Sequence, residues 1–99
     1  MIRSKKSLGQ NFLIDQNIID KITNIIKIEN KNILEIGPGT GNLTSAILNK
    51  HPRKVLVVEK DSKLSSDLKE KFNEKIEVIN KDILEIDENL LNSNLLTVF

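Results

Sequence analysis

The sequence predicts an α/β fold in which helices cover a parallel sheet. Short apolar runs alternate with helical patterns in the order strand, helix, strand, helix, strand. The run Lys-Val-Leu-Val-Val at 54–58 is β-branched and almost wholly apolar, as a strand covered on both faces must be. A turn punctuated by Gly37, Gly39 and Gly41 joins the first strand run directly to a helical pattern. That junction is where α/β proteins place their ligands.

Residues 1–14 show no clear periodicity and read as an N-terminal arm, which leaves 15–99 as the folded part. Asp15 suits an N-cap, opening a helix of about 13 residues. Ile18, Ile19, Ile22, Ile25 and Ile26 share one face of it, with Asp20, Lys21, Asn24 and Lys27 opposite. Asn32–Ile36 reads as the first strand and Asn42–Lys50 as the helix after the glycine turn, ended by His51-Pro52. After the second strand, Leu64, Leu68 and Phe72 recur at helical spacing, and Ile76–Ile79 reads as a third strand. Beyond Asp82 the sequence is irregular and acidic until Leu95–Phe99, which reads as the opening of a fourth strand. A parallel sheet normally continues into a covering helix and none follows Phe99, so the sequence reads as a fold truncated after about the fourth strand.

A length of 99 residues allows at most one domain. With no cysteine, disulfide frameworks and thiolate metal sites are excluded. No apolar run approaches the roughly 18 residues of a membrane span, and no signal-peptide core is present. No membrane partner and a cytoplasmic setting are therefore expected. The net charge of +1 divides into +3 over residues 1–31 and −2 over 32–99. Arg3, Lys5 and Lys6 in the arm suit either a solvated terminus or contact with nucleic-acid phosphates. The single histidine, His51, lies in a loop and reads as solvent-facing. No Ser/His/Asp set, carboxylate pair or metal-ligand cluster is evident, so no metal is expected.

The glycine turn carries the chemistry. Glycine lacks a Cβ, adopts positive φ and lets a ligand approach the backbone. The dinucleotide fingerprint Gly-x-Gly-x-x-Gly needs a glycine where this chain has Asn42, which disfavours a nicotinamide dehydrogenase. The pattern Glu35-x-Gly37-x-Gly39-x-Gly41 instead resembles that of S-adenosylmethionine-dependent methyltransferases, a Rossmann-like class. Glu59 directly follows the second strand, 22 residues beyond Gly37, and suits hydrogen bonding to ribose hydroxyls. Asp82, after the third strand, suits the exocyclic amine of an adenine. Glu35, inside the first strand, is expected to brace the glycine loop by accepting backbone N–H bonds, because a buried charge needs such partners.

Ser7-Leu8-Gly9-Gln10-Asn11-Phe12-Leu13, with Asp15, resembles the entry motif of the ribosomal RNA adenine dimethyltransferases. Leu34–Thr44, Val58-Glu59-Lys60-Asp61 and Asn80-Lys81-Asp82-Ile83 follow in that family's order. The resemblance implies transfer of methyl groups from S-adenosylmethionine to N6 of adenosines in small-subunit rRNA, with rRNA or a pre-ribosomal particle as partner and a monomer as the intact form. It implies cofactor contacts at Asn11, Leu13, Gly37, Glu59 and Asp82, with Gly37 against the amino-acid moiety. Large-subunit methyltransferases that confer macrolide resistance and mitochondrial transcription factors share the layout, so fold alone does not establish activity. The family's catalytic Asn-[Leu/Ile]-Pro-Tyr motif falls beyond Phe99, so this chain carries the cofactor-binding half and no catalytic residue. The other reading is a non-catalytic S-adenosylmethionine-binding fragment or a decayed gene product.

Overall fold

The structure, a computed structural model, describes residues 15–87, 89 and 96–99. The arm over 1–14, with Asn11 and Leu13, lies outside the described residues. Helix α1 spans Gln16–Ile25 and is capped by the Asp15 carboxylate, which accepts from Asn17 N. Strand β1 (Asn32–Ile36), helix α2 (Asn42–Leu48), strand β2 (Lys54–Val58), helix α3 (Ser62–Phe72), strand β3 (Glu77–Ile79) and strand β4 (Leu96–Val98) follow. Short 3₁₀ turns at Asn73–Lys75 and Ile83–Glu85 flank β3.

The four strands form one parallel sheet in the order β3-β2-β1-β4. Parallel neighbours need crossovers, and the intervening helices supply them. Because strands alternate their side chains, Ile33, Val55 and Val57 face one side, where Ile19 of α1, Ile47 of α2 and Leu68 and Phe72 of α3 bury them. Leu34, Leu56 and Val58 face the other side, packed by Ile79, Ile83 and Ile86. Both central strands are thus covered on two faces, which is why their sequences are apolar without alternation.

Two local expectations are corrected. Ile25 is 70% exposed rather than on the buried face of α1, whose buried line runs through Ile19 and Thr23. Thr23 can take that place because its hydroxyl donates back to Ile19 O (3.0 Å), leaving no unpaired group. The stretch after Asp82 is not wholly irregular: Asp82 and Glu85 form a capping box around the second 3₁₀ turn. His51 is exposed, as its loop position suggested.

Strand order places the site. From β1 the chain steps outward to β2 and β3, then returns to β4 on the other flank of β1. The order therefore reverses between β1 and β4, and ligands of open α/β sheets bind outside the carboxyl ends of the strands at such a switch point.

Candidate functional site

The glycine turn leaves β1 at this switch point. Gly37, Gly39 and Gly41 all have positive φ (65°, 61° and 93°), a region costly for any residue with a Cβ. The backbone is tied on both sides: Gly37 N donates to Val58 O at the end of β2 (2.9 Å), and Gly41 N closes the turn on Pro38 O (3.0 Å). The three glycines differ in what surrounds them. A Cβ at Gly37 or Gly39 would meet nothing within 4 Å, whereas one at Gly41 would lie 2.8 Å from the Phe72 ring. The first two thus line open space, and the third lets α2 start tight against α3. Lys71 on α3 adds a bond to Thr40 O at 3.3 Å.

Glu59, one residue past β2, is only 6% exposed. One carboxylate oxygen accepts from Gly39 N (3.3 Å) and the other from Asp61 N (2.9 Å). The strand-end acid and the glycine turn therefore form one unit, with lone pairs left on both oxygens. Asp82, three residues past β3, accepts from Leu84 N (3.0 Å) as the cap of its 3₁₀ turn and is half-buried on the same edge of the sheet.

Glu35 does not brace the turn. Its side chain faces α2, where Thr44 Oγ1 donates to Oε1, and Oε2 is buried without a partner. Strand alternation explains this, since Glu35 points to the helix-covered side and the turn leaves at the strand end. Burial pushes its carboxyl from the ordinary 4.5 up to about 7, against the opposing Thr44 bond. The loop-bracing role expected of Glu35 belongs to Glu59.

Sequence reasoning missed the groups that hold Glu59. Asn80 Nδ2 donates to Glu59 O (3.0 Å) and Lys60 O (3.1 Å), and Ser65 Oγ on α3 donates to Glu59 O (3.1 Å). The Asn80 bonds join residues 20 and 21 apart and the Ser65 bond spans six, and no local pattern signals them. A separate cleft of about 450 Å³ opens between α1 and α2, lined by carboxamides with Asp20 and Lys50. It reaches Asn42, the residue after Gly41, and assembles no reactive group. Among the described residues, no group of three or more His, Cys, Asp or Glu could hold a metal ion. No described helix is long and apolar enough to cross a membrane.

Residues 1–96 match the family model described as ribosomal RNA adenine dimethylase. The chain belongs to that family. Among relatives of this dimethylase family, the ribosomal RNA small subunit methyltransferase A of Pelagibacter ubique (strain HTCC1062) is 54% identical over 98 residues, covering 99% of this chain and 37% of the relative. The chain thus spans a little over a third of that relative's length. A dimethyladenosine transferase from Plasmodium falciparum superposes on 74% of the chain and 28% of its own, at 33% identity and a TM-score of 0.67. The 23S rRNA methyltransferase ErmE superposes over 74% and 31%, at 34% identity and a TM-score of 0.64. Membership in the dimethylase family and these superpositions establish the Rossmann-like methyltransferase fold for the described sheet.

Proposed function

We propose that this chain is the cofactor-binding part of an enzyme that transfers methyl groups from S-adenosylmethionine to N6 of adenosines in small-subunit rRNA. The observation that carries the proposal is the joining of Glu59 to Gly39 in a glycine turn whose first two glycines face open space. The 54% identity to a small-subunit methyltransferase over nearly the whole chain favours that substrate over large-subunit rRNA, the substrate named for the 34%-identical ErmE. The setting that fits this substrate is the cytoplasm.

The residues present fit the cofactor. Gly37 offers room against its amino-acid moiety, Glu59 accepts the ribose hydroxyls, and Asp82 accepts the adenine amine. Asn11 and Leu13, carried from the family motif, complete the contacts from the arm. When bound, the cofactor supplies an electrophilic methyl group on a sulfonium. The protein's share is positioning, which lowers the barrier by fixing the reactants in line.

The family motif Asn-[Leu/Ile]-Pro-Tyr follows the fourth strand, and this chain contains no tyrosine. Phe99 pairs with β1, its carbonyl accepting from Ile36 N at 3.1 Å, one residue before Gly37. A motif continuing from β4 therefore emerges beside the glycine turn, where an adenosine N6 must meet the methyl group. A chimera tests the proposal. Residues 1–99 replace the corresponding segment of the Pelagibacter ubique relative, and N6-methylation of unmodified small-subunit rRNA is measured. Methylation is expected, and it should fall when Glu59 is changed to Ala. A folded chimera that leaves the rRNA unmodified, beside an active parent, would refute the assignment.

A further inference from the structure

Asn80 is exposed, yet its side chain makes three hydrogen bonds, all to the segment that carries Glu59. Its amide nitrogen donates to the carbonyls of Glu59 (3.0 Å) and Lys60 (3.1 Å), and its amide oxygen accepts from Ser62 Oγ (3.1 Å). Only one orientation of the amide satisfies all three partners, because a flip would set its oxygen against two carbonyls. Glu59 N already donates to Ile79 O (3.0 Å), the residue just before Asn80. The end of β2 is thereby pinned to the end of β3 by both main chain and side chain.

This placement has a consequence for ligand geometry. Asp82 lies two residues beyond Asn80. In a nucleoside the ribose hydroxyls and the exocyclic amine of the base sit at a fixed separation, so acids that meet both must be held at a matching separation. We propose that Asn80 is a positioning residue: its carboxamide clasps the β2 and β3 ends together and so sets Glu59 toward the ribose diol and Asp82 toward the adenine of one bound S-adenosyl ligand. The inference rests on the cofactor reading given above. Asn80 touches no reacting atom and acts through Glu59.

The test uses the full chain with Asn80→Ala, Glu59→Ala and the double variant, titrated with S-adenosylhomocysteine and with an analogue lacking both ribose hydroxyls. Asn80→Ala should weaken S-adenosylhomocysteine about tenfold, the scale of one charge-assisted hydrogen bond. It should leave the hydroxyl-free analogue within about twofold, and in the Glu59→Ala background its effect should fall below about twofold, since coupled residues are non-additive. Equal weakening of both ligands, or additive losses, would overturn the proposal.

Amide exchange of the ligand-free chain decides the clasp independently of binding. Asn80→Ala should speed exchange at Gly39 and Asp61, the two amides that Glu59 accepts, while the Val57 amide in the core stays unchanged. If the unsubstituted chain binds no S-adenosyl ligand, the cofactor reading fails and the nucleoside role falls with it; accelerated exchange then still upholds the positioning of Glu59, and unchanged exchange refutes that too. Should Asn80→Ala fail to fold, Ser62→Ala removes the bond that orients the amide from an exposed hydroxyl. It carries the same comparisons, with an expected loss of about threefold.

Discussion

Two buried glutamates lie at the heart of this chain, and they differ in what their carboxylates meet. Glu59 has a backbone donor on each oxygen, whereas Glu35 has one hydroxyl donor and one orphaned oxygen. An unfolded Glu35 loses its proton near 4.5, while the folded one holds it to about 7. Between those values the folded state binds the extra proton, so stability falls as pH rises through this window and levels off above it. The size of the fall is about 3 kcal/mol. Glu35→Gln should flatten it, which urea denaturation at pH 4.5, 6 and 8 would measure. A wild-type chain whose stability rises across the same range would contradict this account of Glu35. That a charge stood inside β1 was legible from sequence, but its partner was not. The period of the strand, rather than proximity in sequence, aims Glu35 at α2 and leaves the turn to Glu59.

At the scale of the elements, the glycine turn divides into an open part, Gly37 and Gly39, and a packing part, Gly41. Gly41→Ala meets both positive φ and the Phe72 ring 2.8 Å away, so it should destabilise the chain by about 3 kcal/mol. Gly39→Ala meets only the backbone penalty, about 1–2 kcal/mol, because its Cβ would enter open space. On the cofactor reading proposed above, its larger effect should be on S-adenosylmethionine binding, because a methyl group would enter the space left for the ligand. Thermal melts and titrations on both variants separate the two roles, and equal stability losses would argue against the division. The bounds of β1 and β2 were legible because a doubly covered strand has to be apolar throughout. The 3₁₀ turn at Ile83–Glu85 was overlooked although Asp82 and Glu85 carry the spacing of a capping box, since three residues show no periodicity. In α1 the isoleucine stripe pointed to a wider buried face than α2 covers, which leaves Ile25 in solvent.

Across the whole molecule, the parallel pairing of β1, β2 and β3 gathers the glycine turn, Glu59 and Asp82 on one edge of the sheet, and the reversal of strand order between β1 and β4 opens a switch point beside them. Alternation of strands and helices in the sequence implies a parallel sheet, but strand order depends on which crossovers turn back. Contacts between the ends of β1, β2 and β3 were hidden for the same reason, and Asn80 reaches across 21 residues to Glu59. If the carboxyl edge of the sheet is the cofactor site proposed above, residues 1–99 alone should bind S-adenosylmethionine, and without an Asn-[Leu/Ile]-Pro-Tyr motif they should not methylate rRNA. Methyl incorporation by the isolated chain would contradict the assignment of catalysis to that motif. The most direct test of the cofactor site is calorimetric titration of the chain and of Glu59→Ala with S-adenosylmethionine. The account predicts saturable binding that the substitution weakens roughly ten- to hundred-fold, as loss of a charge-assisted hydrogen bond requires. A folded chain that binds S-adenosylmethionine equally well with and without the Glu59 carboxylate, or that prefers NAD, would contradict it.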